Sequence, residues 1–248
     1  MPSIWFIVPA HGRVELTRIC LRQLRRTCDE LEREGIGASA VVVACDENLD
    51  TARDLGFAMV RRDNRFLSRR FNDGIQLACD PQFNARPADY VVPCGSDDWV
   101  HPDLFKDLPP PDTVVGFQHC SFVREDGREM THAFVNYPGG CGVRVFPREL
   151  MALMGYRPAE EDRRRGCDTS ILVNLRREVD DLKIRHDVYD PRMIVDWKSP
   201  GQQLNSYTEV GRYQAHGLGN PFAELEEFFC DEALSEMQAH YARELVAA

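Results

Sequence analysis

No stretch of the 248 residues approaches the ~20 apolar residues that a membrane-spanning helix requires. The apolar run nearest the start, Ile4–Val8, is too short for a secretory core and lacks a basic flank before it. No membrane partner is therefore expected. The nine cysteines contain no CxxC pair and are scattered singly from Cys20 to Cys230, which excludes a zinc knuckle and a disulfide framework. Buried free thiols in a reducing, cytoplasmic setting are the simplest expectation. Positive charge is scarce: 30 Lys and Arg stand against 40 Asp and Glu, for a formal charge of −10. That balance disfavours a protein that coats nucleic acid, but leaves a local basic groove open. Internal repeats and low-complexity segments are missing, and the only proline-rich stretch is Pro109-Pro110-Pro111. What remains is 43% hydrophobic and 28% charged, an ordinary globular mixture long enough for one α/β domain with a sizeable core.

Before the triple proline, strand and helix patterns alternate. Ile4–Val8 and Ala40–Ala44 are continuous apolar runs of the kind that parallel strands bury on both faces; Phe57–Val60 and Tyr90–Val92 are weaker ones. Between them, Leu16, Ile19, Leu24, Cys28 and Leu31 recur at helical spacing, as do Leu67, Phe71, Ile75 and Ala78. Such alternation predicts βαβ units and a mainly parallel sheet. After the prolines, Val114–Phe117 and Ser121–Val123 read as strands, with a hairpin turn at Glu125-Asp126-Gly127-Arg128. Arg148–Met154 and Cys167–Arg177 read as helices, and the stretch from Lys183 to Gly219 as irregular. Asn220 and Pro221 supply a cap and first-turn proline for one last helix, whose Phe222, Leu225, Phe229, Leu234, Met237 and Tyr241 pack on the body.

In an open parallel sheet, ligands collect at the carboxyl ends of the strands. Four loops there carry reactive residues: Pro9-Ala10-His11-Gly12-Arg13, Asp46-Glu47-Asn48, Asn64-Arg65 with Arg69, Arg70 and Asn72, and Gly95-Ser96-Asp97-Asp98-Trp99. Polar loop residues are common, and the last motif could be an exposed turn with Trp99 as an apolar plug. Adjacent carboxylates after a buried strand nevertheless suit a divalent cation, which takes both as oxygen ligands. Arg61, Arg62, Arg65, Arg69 and Arg70 crowd ten residues of an otherwise acidic chain. Arg65 and Arg69 share a helical face by spacing, and guanidinium forks bind phosphate bidentately. A cation site beside arginines suits a nucleoside diphosphate; ion pairing on a solvated face is the competing account.

These residues, in this order and spacing, make roughly residues 3 to 105 similar to the GT-A fold glycosyltransferases, particularly the inverting group that uses nucleotide-diphosphate sugars. The resemblance implies an α/β, Rossmann-like architecture: a mainly parallel sheet flanked by helices, a more irregular acceptor-side lobe and a C-terminal helix. It implies one domain over residues 1–248, with 1–108 as the nucleotide-sugar half and 109–248 as the acceptor-side half. Pro9, His11 and Arg13 would lie near the base, Asp46 on base or ribose, and Arg65, Arg69, Arg70, Asn72 and Ser96 around the donor. Asp97, with Asp98, would hold Mn²⁺ (or Mg²⁺). Gly95 stands where many members carry the first Asp of the Asp-x-Asp element, so Asp98 or a backbone group is expected to take over its contact.

The resemblance also implies a catalytic carboxylate at a helix start facing the acceptor, and Asp168 in Gly166-Cys167-Asp168-Thr169-Ser170 matches that position. It would deprotonate the acceptor hydroxyl. Asp168 could equally be the N-cap of its helix, and Glu160, Glu161 and Asp162 are rivals beside Arg163–Arg165. His186 or His216 could complete the metal site, and Tyr137-Pro138-Gly139-Gly140 could shape a sugar pocket by close backbone approach. The expected partners are a UDP-sugar donor and a glycan, protein or small-molecule hydroxyl. A hydroxymethylpyrimidine in DNA is kept open by Arg163-Arg164-Arg165 and Arg176-Arg177 around Asp168. The alternatives are a nucleotide-sugar or glycan-binding protein without turnover and a sugar nucleotidyltransferase, although Pro9–Arg13 is not the glycine-rich basic loop common in the latter.

Overall fold

Strand β1 (Ser3–Pro9) is apolar along most of its length because it lies at the centre of a sheet, between β2 (Gly37–Ala44) and β4 (Tyr90–Pro93), and parallel to both. The computed structural model describes residues 1–135, 141–187, 189–199 and 214–247. Helix α1 (Val14–Arg33) crosses from β1 to β2, and α2 (Asn48–Asp54) from β2 to the edge strand β3 (Ala58–Arg61). Helix α3 (Leu67–Cys79) returns to β4 and packs tightly on β1. A Cβ at Gly74 would lie 2.5 Å from Ile7 Cγ2, so only glycine allows this approach.

The remaining chain extends this sheet and builds a second one. Strands β6 (Thr113–Gly116), β9 (Arg144–Pro147) and β10 (Lys183–His186) complete a seven-stranded order β10-β6-β9-β4-β1-β2-β3, in which only β9 runs antiparallel to its neighbours. A five-stranded sheet has the order β12-β8-β7-β11-β5. Its members are β5 (Asp98–Val100), β7 (His119–Val123), β8 (Met130–Phe134), β11 (Ile194–Trp197) and β12 (Gln214–Gly219). Helices α4 (Arg148–Leu153), α5 (Cys167–Glu178), α6 (Pro221–Glu224) and α7 (Asp231–Ala247) follow in chain order.

The apolar core lies on both faces of the large sheet and behind the small one. Phe6, Leu24 and Val42 share one buried cluster, and Ile7, Ile75 and Ile171 another. In a third, Trp99 meets Trp197 edge-on at 4.9 Å and Phe229 at 5.0 Å, beside Leu16 and Met237. Trp99 thus joins two layers, burying β5 against α1 and the C-terminal helices.

Three expectations change. The stretch from Lys183 to Gly219 holds β10, β11 and β12 where described. Each is short and finds its partners far away in sequence, so little of its order shows in a local pattern. The final helix is two: Asn220 Oδ1 accepts from Phe222 N at 3.0 Å to start α6, which ends after Glu224 before α7 begins at Asp231. Arg65 precedes α3, whose first residue is Leu67, so it shares no helix face with Arg69. The hairpin at 125–128 joins β7 to β8, as expected. All nine cysteines are free; seven are buried, but Cys45 and Cys230 are exposed. Among the described residues, no helix is long and apolar enough to cross a membrane. Tyr137 to Gly140 lie outside the described residues.

Candidate active site

The loops after β1 and β2 are tied together by backbone groups. Asp46 Oδ2 accepts from Gly12 N at 2.8 Å, and Asn48 Nδ2 donates both to Asp46 Oδ1 at 2.7 Å and to Gly12 O at 3.2 Å. Burial works to raise the Asp46 carboxyl, but the hydrogen bonds from Gly12 and Asn48 outweigh it and hold it below the usual range. His11 Nδ1 sits 3.4 Å from Asp46 Oδ2, with half of the imidazole open to solvent. His11, Cys45 and Asp46 could share a cation by proximity, although Asp46 is already committed to the loop.

Arg13 begins α1 with a left-handed backbone, φ 43°, which is strained for a residue with a side chain. The strain accompanies a specific aim. Its Nη1 donates to Asp97 Oδ2 at 2.7 Å and its Nη2 to Ser96 Oγ at 3.2 Å, linking the first loop to the fourth. Arg70 reaches the same loop from α3, donating from Nη1 to Ala10 O at 3.0 Å. Its buried Nε has no hydrogen-bond partner, and burial lowers its affinity for its proton.

The turn at 95–97 delivers three carboxylates to one point. Asp98 opens β5 directly opposite Asp196 on β11, so the antiparallel register puts both side chains on the same face. One oxygen from each of Asp97, Asp98 and Asp196 lies within 4.8 Å of the others. Gly95 explains itself here. Its N–H donates to Asp98 Oδ2 at 2.6 Å, and a Cβ at 95 would lie 2.7 Å from that oxygen, so Asp98 fills the volume a side chain at 95 would need.

The charges of this cluster are unequal. Burial, then Asp196 and Asp97, push the Asp98 carboxyl well above the usual range. Burial raises Asp196 to about 6 against the pull of Lys198. Burial also works to raise Asp97, but Arg13 and Lys198 outweigh it and keep it below the usual range. Lys198 is only 1% exposed and pairs with Asp196 Oδ2; burial opposes its charge, while Asp196 and Asp97 together raise its pKa above the ordinary value. Two cations therefore face three carboxylates. Asp196 Oδ1 remains buried without a hydrogen bond. A divalent cation fits: it would take the orphaned oxygen and offset the mutual repulsion of the three carboxylates. Neither Asp196 nor Lys198 was expected from the sequence, where both fall in the stretch from Lys183 to Gly219 that reads as irregular.

Gly166 (φ 62°) is the cap of α5, so Asp168 is not the N-cap of its helix. Asp168 lies in the first turn, partly exposed, and its Oδ2 accepts from the buried Arg144 on β9 at 3.1 Å. Its rivals are bound elsewhere: Glu160 to Arg163, Glu161 to Arg157, and Asp162 to Arg69. Asn72 is fully buried: its Oδ1 accepts from Ala159 N at 2.8 Å, and its Nδ2 donates to Ala159 O at 2.9 Å and to Glu161 Oε1 at 3.1 Å, so its amide clamps α3 to the 157–163 loop.

Arg65 and Arg69 stack on Phe66 at 5.1 and 5.0 Å, away from the Ala10 contact that Arg70 makes. His216 lies on β12, at the opposite edge of the small sheet from β5. Four strand spacings make this roughly 19 Å, and its register row with His132, Ser121 and Val195 faces away from Asp98. His186 is exposed on the outermost strand of the large sheet. Neither joins the carboxylates. Arg176 and Arg177 are in the last turn of α5, about 12–14 Å along the axis from Asp168 at ~1.5 Å per residue, so they do not flank it.

No protein-family model and no curated protein sequence matches the chain. Among solved structures, it is similar to glucosyl-3-phosphoglycerate synthase from Mycobacterium tuberculosis in complex with Mn²⁺, UDP and glucosyl-3-phosphoglycerate. The identity is 12% over 88% of each chain, with a TM-score of 0.50. The same enzyme's UDP complex gives 14% identity over 85% of this chain and 75% of that one, also at 0.50. A Drosophila β1,4-galactosyltransferase 7, in complex with manganese, UDP-Gal and xylobiose, gives 16% identity and a TM-score of 0.49; the match spans 75% of this chain and 65% of that one. The chain has the GT-A glycosyltransferase fold.

Proposed function

We propose that this chain is a glycosyltransferase that moves a sugar, with inversion, from a nucleotide-diphosphate donor of the UDP-sugar class to an acceptor hydroxyl. The observation that carries this reading is the meeting of Asp97, Asp98 and Asp196 beside the joined first and second loops of a GT-A sheet. Pro9, His11 and Asp46 form the wall against which a base and ribose would rest. Asp97, Asp98 and Asp196 would hold Mn²⁺ (or Mg²⁺), which when bound supplies positive charge to the leaving diphosphate. Arg13 and Ser96 stand at the same edge, and Arg13 is placed to turn from Asp97 to phosphate oxygens. Arg70 holds the loop in place through Ala10. Asp168 is the base: it takes the proton of the acceptor hydroxyl as that oxygen attacks the anomeric carbon, while Arg144 fixes the carboxylate's orientation. The reading of a binding protein without turnover rested on Gly95, and Asp98 now occupies the volume in question.

The test is a thermal-shift screen of UDP, GDP and their sugars with and without Mn²⁺, followed by product analysis. Selective stabilisation by a UDP-sugar only with Mn²⁺, and sugar release or transfer, support the proposal. Binding with no turnover across glycan, protein and small-molecule acceptors overturns it.

A further inference from the structure

Three arginines converge on one aromatic ring outside the carboxylate centre. The guanidinium carbons of Arg65, Arg69 and Arg164 lie 5.1, 5.0 and 5.9 Å from the ring centre of Phe66. Arg69 is balanced by Asp162 at 2.5 Å and Glu161 at 3.4 Å. Arg65 and Arg164 have no carboxylate within ion-pair distance among the described residues. In a chain of charge −10, two exposed guanidinium groups held on one ring with no carboxylate partner among the described residues offer an anion a charged, forked contact.

The cluster is built rather than incidental. Ser68 joins the start of α3 to the loop that carries Arg164: Ser68 N donates to Arg163 O at 3.1 Å, and Arg163 N donates to Ser68 Oγ at 3.0 Å. Arg164 is four residues before Asp168, so their Cα atoms are at most ~15 Å apart at ~3.8 Å per residue. Arg70, by contrast, turns to Ala10 on the donor side. The ring therefore lies beside the acceptor approach.

We infer that Arg65, Arg69 and Arg164 on Phe66 form an anion-recognition subsite that takes a phosphate carried by a small acceptor. The inference rests on the transferase reading given above. A phosphate matches the planar guanidinium forks, and two free arginines match one phosphate. Duplex DNA is disfavoured because it presents a charge every ~1.7 Å of axis, whereas the chain as a whole carries −10 and Glu161 and Asp162 border this patch at Arg69. The acceptor is thus a small hydroxyl compound bearing one phosphate.

Orthophosphate is the probe, measured by calorimetry or ³¹P line broadening at constant ionic strength, with UDP plus Mn²⁺ measured in parallel. Arg164→Ala and Arg65→Ala should each weaken orthophosphate roughly tenfold, the scale of one charge-assisted contact. UDP–Mn²⁺ affinity should be unchanged in Arg164→Ala. Arg25→Ala is the control: that arginine also sits over a ring, Phe57 at 5.5 Å, but is paired with Asp29 and Glu32, so its loss should not alter phosphate binding. Parallel loss of UDP and orthophosphate, with mutual competition, would assign the cluster to the donor and overturn the inference. Tight duplex binding that falls steeply with salt and with Arg164→Ala would also overturn it, in favour of a nucleic-acid acceptor. Orthophosphate bound through the cluster by a protein that binds no nucleotide sugar would overturn the transferase reading and the acceptor role, while leaving the anion site standing.

Discussion

The proposed donor side and the proposed acceptor side of this site are held in different ways. On the donor side, backbone groups tie the first two loops: Gly12 N and O and Ala10 O are bonded to Asp46, Asn48 and Arg70, and the ion pairs of Arg13 and Lys198 are confined to the carboxylate cluster. On the acceptor side, side-chain charges do the holding, through Arg144–Asp168, Arg69–Asp162, Arg163–Glu160 and Arg157–Asp73. Backbone ties between parallel neighbours set a geometry before any ligand arrives. Partly exposed ion pairs are weaker and yield to salt or a competing charge. The donor side is thus the preorganised half, and the acceptor side the half that a ligand can rearrange.

The sharpest way to break this comparison is at Asp168. Asp168→Asn should lower transfer by roughly 10²–10⁴-fold, with UDP–Mn²⁺ affinity and melting temperature nearly unchanged. An equal fall in stability and rate would show that Asp168 only neutralises the buried Arg144. On the donor side, Asp97→Ala should reduce Mn²⁺ affinity by at least ~10-fold, since even outer-shell losses reach that scale. Intact Mn²⁺-dependent turnover in that variant would remove Asp97 from the metal site. Arg13 gives a change of opposite sign. Because it already occupies Asp97, Arg13→Ala should tighten Mn²⁺ binding without nucleotide by up to ~10-fold, the worth of one charged hydrogen bond, as read by electron paramagnetic resonance.

Acid titration sharpens the picture further. Asp196 holds its proton more firmly folded, at about 6, than an unfolded aspartate near ~3.9 does. Its contribution is therefore full below pH ~4 and lost as pH rises through ~6. Metal-free protein should lose stability across that window, and Asp196→Asn should flatten the slope. The smallest effect on turnover is expected at Asn72. Asn72→Ala should cost about 1–3 kcal/mol of stability through Ala159, yet leave UDP affinity unchanged.

The front-half fold was legible because β1 and β2 are continuous apolar runs, amphipathic helical spacing follows β1 and β3, and the site residues follow the strands directly. His11, Asp46, Asp97 and Asp98 could be picked out for that reason. Asn72 was given its nucleotide role through the family resemblance alone, and its clamp on the 157–163 loop, over 80 residues on, has no local signal. Arg144 and Lys198 were invisible, since a buried cation has no local pattern before its carboxylate partners are placed.

By itself, the sequence determined the parallel βαβ core, the carboxyl-end loops and the carboxylate pair at 97–98, because these depend on local periodicity and chain order. Only the tertiary structure decided what completes the centre. Asp196 reaches Asp98 through a strand pairing across 98 residues, and Arg13 reaches Asp97 through a left-handed turn. Arg164 meets Phe66 because a serine joins two distant segments. The physical reason is common to all three: charge pairing acts over a few ångströms in space, and a linear sequence carries no measure of that distance.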